Sequence, residues 1–137
     1  MPEWAFVALG SNLGDRDALL REAEHHIGAL ADTEIVAGSA VEETDPIGPV
    51  PQKRYLNRML LLRTSLAPRQ LLEALLGIER RMGRVRAERW GPRAIDLDIV
   101  RYDAMQVEEP GLQLPHPELP NRDFWQRELD ELLRHVA

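Results

Sequence analysis

The 137-residue chain predicts a single α+β domain, an antiparallel sheet with helices packed on one face, followed by a C-terminal extension. Three observations carry that expectation. Apolar runs suited to strands lie at residues 4–9, 33–43, 55–64 and 95–102. Two stripes at helical spacing fall between them, one through Leu20, Ala23, Ile27 and Leu30, the other through Leu71, Leu72, Leu75, Ile78 and Met82. The resulting order, strand, helix, strand, strand, helix, strand, is the split β-α-β pattern of a ferredoxin-like βαββαβ sandwich.

The elements justify themselves in turn. Trp-Ala-Phe-Val-Ala-Leu at 4–9 is apolar throughout, as a central strand must be, and the Gly10-Ser11-Asn12-Leu13-Gly14-Asp15 turn ends it. Asp15 or Asp17 can cap the first helix, since a short carboxylate accepts from the unpaired N–H groups of a first turn. Three prolines and a glycine within residues 44–52 exclude both helix and sheet interior, leaving an unusually long loop. On the following strand Tyr55, Asn57 and Met59 share a face. Pro68 suits the first position of the second helix and Gly83 its end. Leu114-Pro115-His116-Pro117 holds an imidazole between prolines, and residues 125–136 form a last helix with Leu129, Leu132 and Leu133 on its apolar side.

Composition excludes several classes. There is no cysteine, so neither disulfides nor thiolate chemistry is available. No stretch approaches the length of an apolar membrane span and the first residues lack a basic leader, so the expectation is a cytoplasmic monomer with no membrane partner. A net charge of −6 argues against nucleic acid as a partner. The cations are nevertheless concentrated: Arg80, Arg81, Arg84, Arg86, Arg89 and Arg93 crowd one segment, which suits a small anion better than a polyanion.

Chemistry concentrates in residues 89–100. Asp96 and Asp98 lie two apart on a strand and share a face, while Ile95, Leu97 and Ile99 point the other way. Paired carboxylates favour a cation between them, and Mg²⁺ takes one or two carboxylates while leaving positions to water and phosphate. The neighbouring arginines offer planar forks for phosphate oxygens. Together they predict a Mg-nucleotide site. The adjacent His25 and His26 diverge on their helix and are read as surface residues.

Five ordered blocks extend this reading: Ala8-Leu9-Gly10-Ser11-Asn12-Leu13-Gly14, Glu43-Thr44-Asp45-Pro46-Ile47-Gly48 with Tyr55-Leu56-Asn57, residues 89–100, Leu114-Pro115-His116-Pro117, and Asn121-Arg122-Asp123-Phe124. Taken together they resemble the 6-hydroxymethyl-7,8-dihydropterin pyrophosphokinases of folate biosynthesis. The resemblance implies transfer of the terminal diphosphate of ATP to the pterin hydroxymethyl oxygen, releasing AMP, with two Mg²⁺ ions. It implies Asp96 and Asp98 as metal ligands, and Arg84, Arg93, Asp96 and Asp98 as the catalytic set. It further implies Glu79, Arg86, Trp90, Arg93, Ile99, His116 and Arg122 around ATP, with Arg84 and Arg86 on a closing loop. Thr44, Asp45, Pro46, Asn57 and Trp90 would contact the pterin, its ring lying between Tyr55 and Phe124. Two departures stand out. Glu42 takes a position where the family often has an aromatic residue. After Phe124, an acidic segment from Trp125 replaces an apolar, proline-containing one. A non-catalytic pterin- or nucleotide-binding paralogue and an RNA-binding module are the rival readings; the latter wants aromatics displayed on the sheet.

Overall fold

A computed structural model describes residues 2–46, 48–83 and 94–136. In chain order the elements are β1 (Glu3–Ser11), α1 (Arg16–Gly28), β2 (Thr33–Gly38), β3 (Glu42–Thr44), β4 (Tyr55–Thr64), α2 (Pro68–Arg81), β5 (Asp96–Tyr102), β6 (Val107–Glu109), β7 (Leu112–Leu114) and α3 (Asp123–Leu133), with a 3-10 turn at Leu119–Asn121 before α3.

The main sheet has the order β2-β4-β1-β5, and β3 lies beside the first part of β4. Every pairing in it is antiparallel. It follows that β1 and β2 run the same way with β4 between them, and that β4 and β5 run the same way with β1 between them. Each of α1 and α2 thus crosses over one intervening strand. A separate hairpin joins β6 to β7.

The single strand expected over residues 33–43 is two. The ladder shifts register between Ile35 and Ala37, and Ser39 then interrupts it. The Ser39 N–H donates to the Met59 carbonyl at 2.9 Å, and its hydroxyl accepts from the Met59 N–H at 2.9 Å. A side chain thus takes a place in the ladder, and the chain re-enters as β3 at Glu42, three residues later.

Helix ends follow from local chemistry. The Asp15 carboxylate accepts from the Ala18 N–H at 3.1 Å and caps α1. Pro68 opens α2, whose N-terminus is closed when Gln70 accepts from the Ala67 N–H at 2.8 Å. The α2 stripe Leu71, Leu75 and Ile78 is fully buried with Leu20, Ala23 and Ile27 of α1 against Ala5, Val7, Leu9, Leu60, Leu62, Leu97 and Ile99 of the sheet. Burying each of the large residues there contributes roughly 1.5–3 kcal/mol before entropy.

The expectation of helices on one face needs correction for the last of them. α3 covers the opposite face, where Trp125, Leu129 and Leu132 recur at helical spacing and pack on Phe6, Ala8, Met59, Leu61 and Val100. The molecule is therefore layered helix, sheet, helix. No helix among the described residues is long and apolar enough to cross a membrane.

Candidate active site

The strand registers place the candidate residues before any side chain is considered. Asp96 of β5 lies opposite Gly10 of β1, Gly10 opposite Asn57 of β4, and Asn57 opposite Glu42 of β3. Residues directly opposite in antiparallel strands present their side chains to the same face. This row therefore lies on the α3 face, and α3 reaches its Glu42 end through Arg127 at 2.9 Å. Asp96 and Asn57 are two strand spacings apart, about 9–10 Å, and the position between them has no side chain. A Cβ on Gly10 would lie 3.1 Å from Asn57 Oδ1 and 3.4 Å from the Tyr55 ring. Gly10 is thus the floor of a trough, with carboxylates on one bank and Asn57 and Tyr55 on the other.

The amide bank is ordered from β3. Asn57 is buried, and its amide N–H donates to the Thr44 hydroxyl in a short hydrogen bond. Thr44 itself pairs with Tyr55. The proline-rich loop is held at both ends. The Asn12 amide donates to Gln52 Oε1 at 2.7 Å and to the Lys53 carbonyl at 3.0 Å. Glu43 receives Arg16 at 2.8 Å and Arg54 at 3.1 Å, and the hydrogen bond from Arg16 holds its carboxyl below the ordinary range. Asp45 turns outward to Arg54 at 3.1 Å. Pro46 is half-buried in the same loop.

On the carboxylate bank, Leu97 and Ile99 are buried under the helices while Asp96 and Asp98 stand on the other face, as the strand periodicity requires. A cavity of about 300 Å³ adjoins Asp98, lined by Leu72, Leu97, Ile99, Leu112, Gln113 and His116 among others. Its walls mix the apolar Leu72, Leu97, Ile99 and Leu112 with the polar Asp98, Glu109, Gln113 and His116, which suits a polar-edged flat heterocycle. Arg69 of α2 closes the rim on Glu109 at 2.9 Å and on the Pro110 carbonyl at 2.9 Å, tethering the β6–β7 hairpin.

His116 links the cavity to the acids. Its Nδ1 accepts from the Glu118 N–H at 3.0 Å, so the neutral ring carries its proton on Nε2. Nε2 lies 3.8 Å from Asp98 Oδ1, too far for a direct hydrogen bond and suited to a bridging oxygen. Burial, followed by the nearby Arg122 charge, lowers the His116 pKa, with Glu118 opposing.

Glu79 is almost fully buried at the end of α2, where its Oε2 accepts from the Leu97 N–H at 2.8 Å. This carboxylate braces β5 from the helix side, across the strand from the trough. Beyond His116, Arg122 lies over the Trp125 ring, and Phe124 is half-buried beside it. Arg84, Arg86, Trp90 and Arg93 lie outside the described residues.

The structure therefore brings Asp96, Asp98, Tyr55, Asn57 and Thr44 to one end of the sheet, with His116 beside Asp98, whereas Ile99 faces the helix side of β5 and lines the cavity. Sequence reasoning missed Gly10 as the trough floor, because only the three-strand register reveals it. It also missed the hairpin as a cavity wall, where Leu112 and Leu114 alternating around Gln113 was the available signal. Among the described residues no three metal-ligating side chains gather at one point.

Residues 6–134 match the family described as 7,8-dihydro-6-hydroxymethylpterin-pyrophosphokinase (HPPK). The chain is 43% identical over 120 residues to 2-amino-4-hydroxy-6-hydroxymethyldihydropteridine pyrophosphokinase of Methylorubrum extorquens, covering 88% of this chain and 76% of that protein. It is 40% identical over 132 residues to the Bacillus subtilis protein of the same name, covering 96% and 79% respectively. In fold it is similar to Plasmodium falciparum HPPK-DHPS crystal structures. One such match has a TM-score of 0.57 at 15% identity and covers 79% of this chain and 30% of that longer one.

Proposed function

The chain belongs to the 7,8-dihydro-6-hydroxymethylpterin-pyrophosphokinase family, and we propose that the trough and the adjoining cavity are where it moves diphosphate from ATP to the hydroxymethyl group of the dihydropterin. The observation that carries this placement is the row Asp96–Gly10–Asn57 across three strands, with the Asp98–His116 cavity beside it.

The nucleotide base occupies the cavity between α2, β5 and the β6–β7 hairpin. Its phosphates run toward Asp96 and Asp98, where the Nε2–H of His116 donates to a phosphate oxygen and Arg122 adds positive charge. The pterin lies over Gly10, edge-on to Asn57 and stacked on Tyr55, with Phe124 on its other side. Asn57 can serve this role because Thr44 fixes its amide orientation, leaving Oδ1 for a ring N–H. The alcohol then points across the trough at the carboxylates.

Asp96 and Asp98 fit Mg²⁺: they are hard oxygen donors, two in number, and the remaining positions fall to water and phosphate oxygens. Asp96 and Asp98 would hold the two ions that the resemblance implies, and bound metal would supply charge neutralisation of the transferring group. The protein's own contribution is orientation: β5 sets the acids, β1 withholds a side chain, and β4 aims the acceptor. The resemblance assigns Arg84, Arg86, Trp90 and Arg93, which lie outside the described residues, to the reactants as well. Glu79 acts by holding β5 rather than by contact with ATP. The split β-α-β order described above supports a ferredoxin-like assignment of the fold.

AMP formation from ATP with Mg²⁺ and 6-hydroxymethyl-7,8-dihydropterin tests the reading. Folded protein that releases no AMP would overturn it. Asp96→Ala and Asp98→Ala each lower turnover by about 10³-fold or more, the scale of losing a metal or transition-state contact, while melting temperature stays near wild type. Near-normal rates in either variant would remove the metal role.

A further inference from the structure

Trp125 follows Phe124 directly in the chain. Its indole is 2% exposed, in the first turn of α3. It touches three residues of the proposed site at once. The His116 ring meets it edge-on, with centroids 4.9 Å apart and planes at 85°. The Arg122 Cζ lies 4.3 Å from its ring centroid. The Phe124 ring is 6.3 Å away at 70°.

We infer that Trp125 is a positioning residue that holds the donor-side groups His116 and Arg122 and the acceptor-side ring Phe124 in one fixed arrangement. This rests on the proposed placement of the nucleotide and the pterin.

The contacts have distinct consequences. An edge-to-face neighbour limits rotation of an imidazole about its ring bond. With Nδ1 held by the Glu118 N–H, this keeps Nε2–H aimed at the gap beside Asp98. The guanidinium of Arg122 is held by a π face, and among the described residues no carboxylate neutralises it. Its buried Nε has no hydrogen-bond partner. An arginine stacked on indole keeps its charge and its donors for an incoming anion, whereas one paired with a carboxylate would not. Backbone geometry reinforces the unit, because the Trp125 N–H donates to the Arg122 carbonyl at 3.1 Å.

A core role alone would need only bulk, because Trp125 also packs on the apolar cluster under α3. The two roles separate by substitution. Trp125→Phe keeps an aromatic edge and face; Trp125→Leu keeps apolar volume without either. The expected result is a loss in kcat/KM for ATP of about 10-fold in the leucine variant, most of it recovered in the phenylalanine variant, at similar melting temperatures. Long-range 1H–15N NMR of the histidine rings supplies a readout that needs no turnover. His116 stays in the Nε2–H form in wild type and Trp125→Phe, and becomes a tautomer mixture in Trp125→Leu. Equal kinetics and one unchanged tautomer in both variants would overturn the inference. Absence of AMP from wild type, with the tautomer pattern as expected, would overturn the reaction assigned to the site and leave the positioning role standing.

Discussion

The two faces of the sheet differ in kind. Under α1 and α2, the strands and helices meet through aliphatic side chains, and the one carboxylate buried there among the described residues, Glu79, is used on a strand N–H. Under α3 the apolar cluster is smaller and mixed with chemistry. Trp125 faces His116 and Arg122, and Glu128 is buried with neither carboxyl oxygen hydrogen-bonded. The first face needs only to be stable. The second must stabilise α3 while leaving the end of the sheet open, and it retains polar groups that a purely structural interface would discard.

Truncation on the scaffold face gives the sharpest test of that contrast. Leu75→Ala removes a fully buried side chain between α2 and the sheet. The expected loss is about 2–5 kcal/mol in denaturant unfolding, with kinetic constants unchanged in the fraction that remains folded. A loss below about 1 kcal/mol would mean this face is not the dominant core.

The second test is Glu128→Gln. Burial first, and then the neighbouring Glu42 carboxylate, push the Glu128 carboxyl from its ordinary value of 4.5 to about 9, with Arg127 opposing and Glu131 adding to the rise. Between those values the folded protein holds a proton that the unfolded chain has released. Stability attributable to this group is therefore greatest below pH 4.5 and declines as pH rises toward about 9, by at most about 1.4 kcal/mol per pH unit. The glutamine variant lacks that decline, so its advantage over wild type should grow from pH 5 to pH 8, a window set by the same two values. Parallel pH profiles would show Glu128 to be ionised in place.

The smallest effect on stability, and the most selective on function, belongs to Gly10→Ala. Its Cβ meets Asn57 Oδ1 and the Tyr55 ring within ordinary contact limits or slightly inside them, so stability should change by less than about 1 kcal/mol. The KM for the pterin should rise several-fold while that for ATP does not. An equal rise in both would place the acceptor elsewhere.

Much of this organisation was legible in the sequence, for identifiable reasons. Alternation at Leu97 and Ile99 against Asp96 and Asp98 fixes a face, because the side-chain period of a strand allows no other outcome. The α2 stripe identifies its own buried side in the same way. The side of the sheet that α3 chooses is not legible, because an apolar stripe says that a helix packs but not on which layer. Nor is the burial of Glu128: a glutamate between Arg127 and Leu129 reads as solvated until Glu42 and the sheet are placed beside it. The split of residues 33–43 depended on one serine whose hydroxyl fits the ladder, a matter of register and not of propensity.

The Asp96–Gly10–Asn57 row has a last consequence. Its width is two hydrogen-bonded strand spacings, a length set by peptide geometry and indifferent to loop motion. The sheet works as a fixed gauge: the separation between the acids and the Asn57 amide is set by the strands themselves. On the proposed placement of the pterin, a longer acceptor would have to lie at a different angle, and its alcohol would then miss the carboxylates.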